Sequence, residues 1–414
     1  MPMMQEAIDL QQSAVTSLVA EIKTRKEEIT FKAPTGSGKT YMMADLMNRV
    51  LGESENFVFL VSSLSKGDLA RQNYEKFEEY KERSNFPNLN PYLINTDIAS
   101  EERLYIPSDY NVYVLPRDLY KKGGRLMQGA MVAFCDDLRW VKNKSIILIK
   151  DECHIKTNNL DSLSSYYFHR TINFSATPKL ARGQYPDIEI KSEDAENAKL
   201  IKTIDWRSDE ETVEDAIDKF QEIRAKYRDL LHVNPCLIIQ ISNKDKADDE
   251  INGMIRPALD ARPDLKWMII VDDDKQCDTN DNFKDRKLPV SKWKDYAKGN
   301  ESLTDVIIFK MVISEGWDIP RACMLYQIRD TQSKQLDEQV MGRVRRNPCL
   351  LNFETLSEEA QQLALTAWVW GIKPEEQRKI HTVESQTDSF DASEGIMIKT
   401  TKLKELTEKE NFDL

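Results

Sequence analysis

The sequence lacks three features, and each absence removes a class of protein. None of its six cysteines forms a Cys-x-x-Cys pair, which argues against a zinc ribbon and a disulfide framework and favours a reducing cytoplasm. No stretch approaches the ~20 apolar residues that a membrane span needs. The amino terminus carries Glu6 and Asp9 and no apolar run, so it does not resemble a signal peptide. We therefore expect a cytoplasmic protein without a membrane partner.

An excess of positive charge is also missing, because the formal net charge is −12. A protein that binds nucleic acid over its whole surface is expected to be basic, since phosphate contacts dominate affinity. Any nucleic-acid contact of this chain must therefore be a local track. The 414 residues suit two domains better than one, because single cores stop growing beyond roughly 250–300 residues.

Short apolar runs that suit strands alternate with helix-like segments along the chain. In the first half, strands are predicted at 29–31, 57–61, 112–115, 146–149 and 172–174. After a polar connector, which spans 181–210, the predicted elements are strands at 236–241, 267–271 and 306–309 and a helix at 335–345. This alternation predicts parallel sheets with helices on both faces, which bind ligands beyond the carboxyl ends of their strands.

The domain prediction follows from these two series. We predict an α/β protein with a first lobe at 1–190, a second lobe at 191–350 and a mainly helical tail at 351–414. In the tail, the residues with helical spacing are Leu363, Ala367 and Trp370. Trp368 and Trp370 are expected to pack this tail helix against the second lobe, the alternative being stacking on nucleic-acid bases.

A glycine-rich segment from Ala33 to Thr40 lies where a predicted strand turns into a predicted helix. Its glycines let successive N–H groups converge on phosphate oxygens, and the helix adds its positive amino terminus. Lys39 would reach the β- and γ-phosphates, and the Thr40 hydroxyl would hold Mg²⁺. Ala33 occupies the position where the general phosphate-loop pattern has its first glycine, and this departure narrows the set of protein families to which the segment can belong. The predicted ATP-binding residues of this segment are Thr35, Gly36, Ser37, Gly38, Lys39 and Thr40.

Two adjacent carboxylates follow the predicted strand at 146–149. Asp151 would orient the Mg²⁺ shell, and Glu152 would polarise the attacking water. Lys150 precedes this pair and either points to solvent or tunes Asp151, and the sequence leaves both orientations open. A metal site at Cys153 and His154 is disfavoured, because partner ligands at usable spacing are missing.

These segments and three later ones resemble the superfamily 2 helicases, which carry two RecA-like lobes in tandem. Motifs I and II match residues 33–40 and 151–154, a DEAH box with Cys153 in the alanine position, and motif III matches 175–177. Motif V resembles residues 314–320, and motif VI matches 339–346. The last two look most like the motor of type III restriction enzyme Res subunits and related phage and defence helicases. The resemblance covers roughly residues 5 to 350.

The resemblance implies roles for residues at matched positions. Arg343 and Arg346 would reach from the second lobe to the γ-phosphate, with Arg346 as the arginine finger; the alternative is a solvated basic helix face. Gly316 and Asp318 would link the nucleotide to the nucleic-acid track. Gln11 would read adenine, the alternative being a polar residue of the opening helix. The resemblance also implies that four residues couple the two lobes: His154, Ser175, Thr177 and Gln339.

The function implied is an ATP- and Mg²⁺-dependent helicase or translocase, with DNA favoured over RNA. The predicted tail is too short for a nuclease domain. The chain is therefore expected to be either a stand-alone motor or one whose nuclease and specificity parts are elsewhere, in which case nuclease or specificity subunits are the candidate protein partners. A second hypothesis is an ATP-gated subunit that does not translocate, which Lys150 and the acidic balance mildly favour. The presence of Glu152 and the two motif VI arginines argues against it. A nucleotide kinase is disfavoured because it has no use for motif VI.

Overall fold

The structure is a computed structural model. It describes residues 4–64, 69–83, 86–95, 105–124, 126–154, 158–181, 183–208, 210–242, 244–271, 273–310, 319–328 and 334–372. Two parallel-sheet lobes lie within one compact unit that ends at Gly371. The predicted α/β architecture of two RecA-like lobes is confirmed.

Within these ranges, the first lobe contains a seven-stranded parallel sheet. Its strands are β1 (Glu28–Lys32), β2 (Phe57–Ser63), β3 (Pro91–Leu93), β4 (Val112–Pro116), β5 (Ser145–Asp151), β6 (Phe168–Ser175) and β7 (Ile188–Glu189). Their spatial order is β3-β4-β2-β5-β6-β1-β7. β2 and β5 are buried from their second residue onward, as is typical of central strands covered on both faces.

The helices of the first lobe carry the segments that surround the site. They are α1 (Gln5–Ile22), α2 (Lys39–Glu53), α3 (Leu69–Arg83), α4 (Met131–Asp136) and α5 (Asn158–Tyr167), and α6 (Ser192–Asn197) leads into the second lobe. The buried face of α1 includes Ala14, Val15 and Leu18, the helical spacing expected of an amphipathic helix.

The second lobe contains, among the described residues, another sheet of seven strands. They are β8 (Thr203–Trp206), β9 (Cys236–Gln240), β10 (Trp267–Ile270), β11 (Asp278–Thr279), β12 (Val306–Phe309), β13 (Ala322–Gln327) and β14 (Thr366–Trp370). Their order is β11-β10-β12-β9-β13-β14-β8, with β11 antiparallel to β10 and the other pairs parallel.

Six helices accompany this second sheet in the part of the chain that the structure covers. They are α7 (Val213–Lys226), α8 (Lys244–Glu250), α9 (Arg256–Asp260), α10 (Val290–Lys298), α11 (Lys334–Val344) and α12 (Glu358–Ala364). α7 starts at a reciprocal capping box between Thr212 and Asp215. Among the described residues, no helix combines the length and apolar character required to cross a membrane.

The polar connector at 181–210 contains β7, α6 and β8, so it contributes an edge strand to each sheet. One sequence prediction about regular structure was wrong. The helix expected through Trp370 ends at Ala364, and Thr366–Trp370 forms β14 between β13 and β8. Helical spacing was misleading here, because threonine, valine and tryptophan suit a buried strand and the sheet supplies two partners. Both tryptophans are buried, which excludes base stacking.

Replacing Trp370 by alanine is expected to lower the free energy of unfolding by about 3–5 kcal/mol, the usual cost of removing a buried aromatic side chain. The Trp370 side chain is 1% exposed, and its indole N–H donates to Glu211 Oε2 at 2.6 Å. Urea denaturation should detect the change. Trp140, 62% exposed in the first lobe, is the matched control. Equal effects of Trp370→Ala and Trp140→Ala would contradict the buried position of β14.

Candidate active site

Three of the motif-bearing strands lie side by side, in the order β5-β6-β1. β1 leads into the glycine-rich segment, β5 ends at Asp151 and β6 ends at Ser175. Parallel strands present their carboxyl ends at one edge of the sheet, so the three segments meet there. The Ala33 N–H donates to Ser175 O at 3.2 Å, which joins two of them directly.

The glycine-rich segment, hereafter the phosphate loop, has the backbone of an anion cradle. Gly36 and Gly38 have φ values of +94° and +86°, which glycine adopts without the strain that a side chain would cause. α2 begins at Lys39, immediately after Gly38, so its amino-terminal N–H groups face the loop. The Lys39 ammonium donates to Ala33 O at 3.2 Å and Pro34 O at 3.3 Å. Its charge therefore lies over the loop, where phosphates would bind.

Gln11 is buried and packs on the phosphate loop. Its side-chain nitrogen donates to Ser37 O at 2.8 Å. A β-carbon added to Gly38 would lie 2.4 Å from that nitrogen, so the contact itself requires glycine at position 38. Gln11 is therefore more than a surface residue of α1, and its recognition of adenine stays a prediction.

The acidic pair sits where β5 ends. Glu152 adopts the left-handed backbone region with φ +53°, which is uncommon for a residue with a side chain. Burial and the neighbouring Glu152 raise the pKa of Asp151 to about 6, opposed by Asn73, Lys39 and Arg117. Burial by itself raises the pKa of Glu152. Hydrogen bonding to His154 and the charge of Lys39 outweigh this effect and bring the pKa below its usual range. Adjacent carboxylates with opposite shifts suit different chemical roles.

Lys150 does not point to solvent, because it is only 8% exposed. That alternative from the sequence is therefore wrong. Burial raises the pKa of Cys153 to about 11, and Lys150 is among the charges that oppose this rise. The cations that lower the pKa of Asp151 are Lys39 and Arg117.

Sequence reasoning missed two polar residues behind the acidic pair. Arg117, directly after β4, donates from Nη2 to Asp151 O at 2.5 Å and to Ser62 O at 3.2 Å. Asn73, on α3, donates from Nδ2 to Asp151 Oδ2 at 2.9 Å. A signal for Asn73 exists in the sequence: it shares the buried face of α3 with Ala70 and Phe77, where an apolar residue is expected. For Arg117, its position after an apolar strand is the corresponding signal.

The second lobe brings the motif VI residues to the same cleft. This cleft has a volume of about 580 Å³, within the range of ligand sites. Its lining includes the first-lobe residues Thr35, Gly36, Gly38, Lys39, Thr40, Asp151, Glu152 and His154, and the second-lobe residues Gln339, Arg343 and Arg346. The structure thus groups predicted site residues that are more than 300 positions apart in sequence.

Close packing holds motif VI against the phosphate loop. A β-carbon added to Gly342 would lie 2.3 Å from Cβ of Thr35, so α11 approaches the loop only because residue 342 is glycine. A β-carbon on Gly36 would lie 3.3 Å from Cγ of Arg346. Arg346 therefore lies beside the loop, as an arginine that acts on a bound phosphate must.

Arg345 is not among the residues that line the cleft. Its side chain instead bonds to the connector at 181–210. Its Nε donates to Lys202 O at 3.1 Å, and its guanidinium forms an ion pair with Glu196. The Lys202 N–H returns a hydrogen bond to Arg345 O at 2.6 Å, and Asn347 Nδ2 donates to Lys199 O at 3.0 Å. The end of the connector and the segment after α11 are thus bonded into one body.

His154 links the two lobes through both ring nitrogens. Nδ1 lies 3.0 Å from Ser175 Oγ and 3.2 Å from Glu152 Oε2, and Nε2 lies 2.8 Å from Gln339 Nε2. The Gln339 amide nitrogen can only donate, so Nε2 accepts and the proton of the neutral ring resides on Nδ1. The Thr177 N–H donates to Ser175 Oγ at 3.0 Å. His154 therefore lies between Glu152 and Ser175 of the first lobe and Gln339 of the second lobe.

The donor set fits a nucleotide-bound Mg²⁺. This ion is commonly held by one or two carboxylates together with substrate phosphates, and the cleft offers Asp151, Glu152 and the Thr40 hydroxyl. Among the described residues, no group of three or more His, Cys, Asp or Glu could hold a metal by itself. Gly316 and Asp318 lie outside the described residues, so their assignment stays a prediction.

Comparisons with known proteins agree with this geometry. Residues 5–180 match the family model of the type III restriction enzyme Res subunit. The search of curated proteins gave no match. Among solved structures, the chain is similar to a fragment described as an HsdR subunit of a type I restriction enzyme from Vibrio vulnificus YJ016. The TM-score is 0.53 at 13% identity, with 89% of this chain and 67% of that one covered.

A second similar structure is the ATP-dependent type ISP restriction-modification enzyme LlaBIII bound to DNA. Its TM-score is 0.51 at 11% identity, with 87% of this chain and 27% of that one covered. The chain thus spans about a quarter of the length of that enzyme. At these identities the likeness shows the fold. The chain therefore has a two-lobed fold similar to that of these restriction enzymes, and residues 5–180 match the family model of the type III restriction enzyme Res subunit.

Proposed function

We propose that this protein is a nucleic-acid-dependent ATPase that moves along a phosphate backbone, with DNA as its track. The observation that carries the proposal is the composition of one cleft. Arg343 and Arg346 of the second lobe line it together with Lys39, Asp151 and Glu152 of the first. A site completed from two lobes responds to their relative position, which is what coupling of hydrolysis to movement requires.

Each side chain has a chemical task in this proposal. Lys39 and the phosphate-loop N–H groups hold the phosphates, and Asp151 orients the ion through its coordination shell. A Mg²⁺ ion held at this site would neutralise negative charge on the phosphate oxygens. Glu152 accepts a hydrogen bond from the attacking water, which its lowered pKa keeps possible near neutral pH. Arg343 and Arg346 stabilise the charge of the transition state.

The link from ATP to movement runs through His154. Its ring contacts Glu152 on one side and Gln339 on the other, so loss of the γ-phosphate changes a network that both lobes share. DNA is favoured as the track because a similar structure is described as bound to DNA and another as part of a restriction enzyme. Contacts to the phosphate backbone would make movement independent of sequence. All six cysteines are free, which suits work in the cytoplasm.

A second candidate is an ATP-gated motor subunit that is inactive without partners. The observation that favours it is length, since the chain spans only part of the restriction enzymes that it resembles in fold. Nuclease or specificity subunits would then supply the remaining functions. The two candidates share the ATP site and differ in whether the chain turns over ATP by itself.

The test is ATP hydrolysis by the purified 414-residue chain, alone and with single-stranded DNA, duplex DNA or RNA. We expect stimulation by DNA, and loss of turnover in Lys39→Ala because the phosphates lose their cation. Stimulation by RNA alone would reassign the track. Absence of hydrolysis with every polymer, despite ATP binding, would favour the gated subunit. Undiminished hydrolysis by Lys39→Ala would contradict the ATP site.

A further inference from the structure

We propose that Asn73 is a positioning residue for the metal-bound nucleotide, and that it orients both Thr40 and Asp151. The inference rests on the proposed ATPase function. Asn73 lies on α3, outside every motif that the sequence identifies, yet it lines the cleft and is only 2% exposed. A polar side chain this buried must be hydrogen-bonded to avoid a desolvation penalty.

The hydrogen bonds of Asn73 connect three separate segments. Nδ2 donates to Ser63 Oγ at the end of β2 at 2.8 Å, and to Asp151 Oδ2 at the end of β5 at 2.9 Å. The Thr40 hydroxyl on α2 donates to Oδ1 at 3.4 Å, a long contact. One amide therefore connects the predicted hydroxyl ligand of the ion to the predicted carboxylate.

Chemistry fixes the orientation of this amide. An ionised carboxylate only accepts hydrogen bonds, so the side of Asn73 that faces Asp151 must carry the nitrogen. The oxygen then faces Thr40 and accepts its hydroxyl proton. That leaves the lone pairs of the Thr40 oxygen available to a metal ion. Aspartate at position 73 could not donate, and a shorter side chain could not reach both partners.

Fixing Asp151 and Thr40 together is what a positioning residue must do here. Mutation of a group that hydrogen-bonds to a metal ligand typically lowers metal affinity or activity by roughly 10–100-fold. Because Asp151 Oδ2 is engaged by Asn73, the carboxylate cannot rotate freely about its terminal bond. Asn73 thus holds Asp151 and Thr40 in place before the nucleotide–metal complex binds, and this reduces the conformational entropy lost on binding.

Two variants and one control test this role in the full chain. Asn73→Leu preserves volume without polar atoms, and Asn73→Ala removes the side chain. The control is Asn111→Ala, which also loses hydrogen bonds within the first lobe, since Asn111 Nδ2 donates to Asn88 O and Oδ1 accepts from Asn90 N. The measurement is the affinity for a fluorescent ATP analogue with excess Mg²⁺ and again with EDTA, followed by a Mg²⁺ titration. Thermal unfolding reports on the fold of each variant.

We expect both Asn73 variants to lose roughly 10–100-fold in affinity with Mg²⁺ while affinity in EDTA changes little. The Mg²⁺ concentration for half-maximal binding should rise by a similar factor, and Asn111→Ala should match the wild type. Equal losses in both buffers, or no loss, would overturn the role of Asn73 while leaving the ATP site intact. If the wild type binds no nucleotide in either buffer, the proposed function fails as well, so the two failures are distinguishable.

Discussion

Replacing Arg346 by alanine is expected to lower kcat for ATP hydrolysis by about 10³-fold or more, the usual effect of removing an arginine finger. The Arg346 side chain lines the nucleotide cleft and lies beside Gly36 of the phosphate loop, so its positive charge would face the transferred phosphoryl group. The charge matters mainly in the transition state, and KM for ATP should therefore change far less than kcat. Steady-state hydrolysis at saturating polymer measures both constants.

Arg346→Lys and Arg228→Ala complete this experiment. Lysine preserves the charge but loses the planar fork of donors, so partial activity is expected. Arg228 pairs with Asp305 elsewhere in the second lobe, and its removal should leave kcat within about twofold of the wild type, as for surface substitutions outside the site. A kcat for Arg346→Ala close to the wild-type value would show that Arg346 does not act on the phosphates.

Gly342→Ala is expected to lower kcat by about 10²-fold, the cost of displacing catalytic groups by about 1 Å. The added methyl carbon would lie 2.3 Å from Cβ of Thr35, whereas ordinary contacts begin at 3.4 Å. The end of α11 would therefore have to retreat from the phosphate loop and take Arg343 and Arg346 with it. ATP hydrolysis and nucleotide affinity, measured together, separate this misplacement from simple loss of binding.

The chain supplies a matched control for this glycine. Gly253 lies in the helical segment Ile251–Ile255, and a β-carbon there would meet no atom within 4 Å apart from neighbouring atoms of its own helix backbone. Gly253→Ala should be neutral or stabilise by about 0.5–1 kcal/mol, because alanine restricts the unfolded chain. Combining Gly342→Ala with Thr35→Gly should restore part of the lost activity. Strictly additive effects in that double-mutant cycle would refute a direct clash.

Much of the architecture could be predicted because the signals are local. Apolar runs between helical segments predict parallel strands, and motifs placed directly after those runs must converge at one sheet edge. This reasoning brings Lys39, Asp151 and Ser175 together without any knowledge of contacts. The grouping of Arg343 and Arg346 with them depended on resemblance to a family, since no local signal joins segments of two lobes.

The failures have a common cause, which is tertiary context. Trp370 lies in a segment whose apolar spacing predicts a helix. This segment instead forms strand β14, because it pairs with β13 on one side and β8 on the other. Asn73 and Arg117 belong to no motif, and their importance depends on which strand ends lie next to them. Lys150 could not be oriented from the sequence, because a charged residue in a strand can face either side of the sheet.

The hydrogen bonds and the ion pair between Arg345 and the connector have a consequence for movement of the lobes. The N–H of Ile190 donates to Lys32 O at 2.9 Å, which fixes the chain to the first sheet up to that point. Beyond it, Glu196 and Lys202 are bonded to Arg345 and so belong to the second lobe. Lys191 is the residue between Ile190 and the start of α6, and its backbone is extended. We therefore expect a change of angle between the lobes to involve the backbone torsions around Lys191, which lies between these two bonded regions.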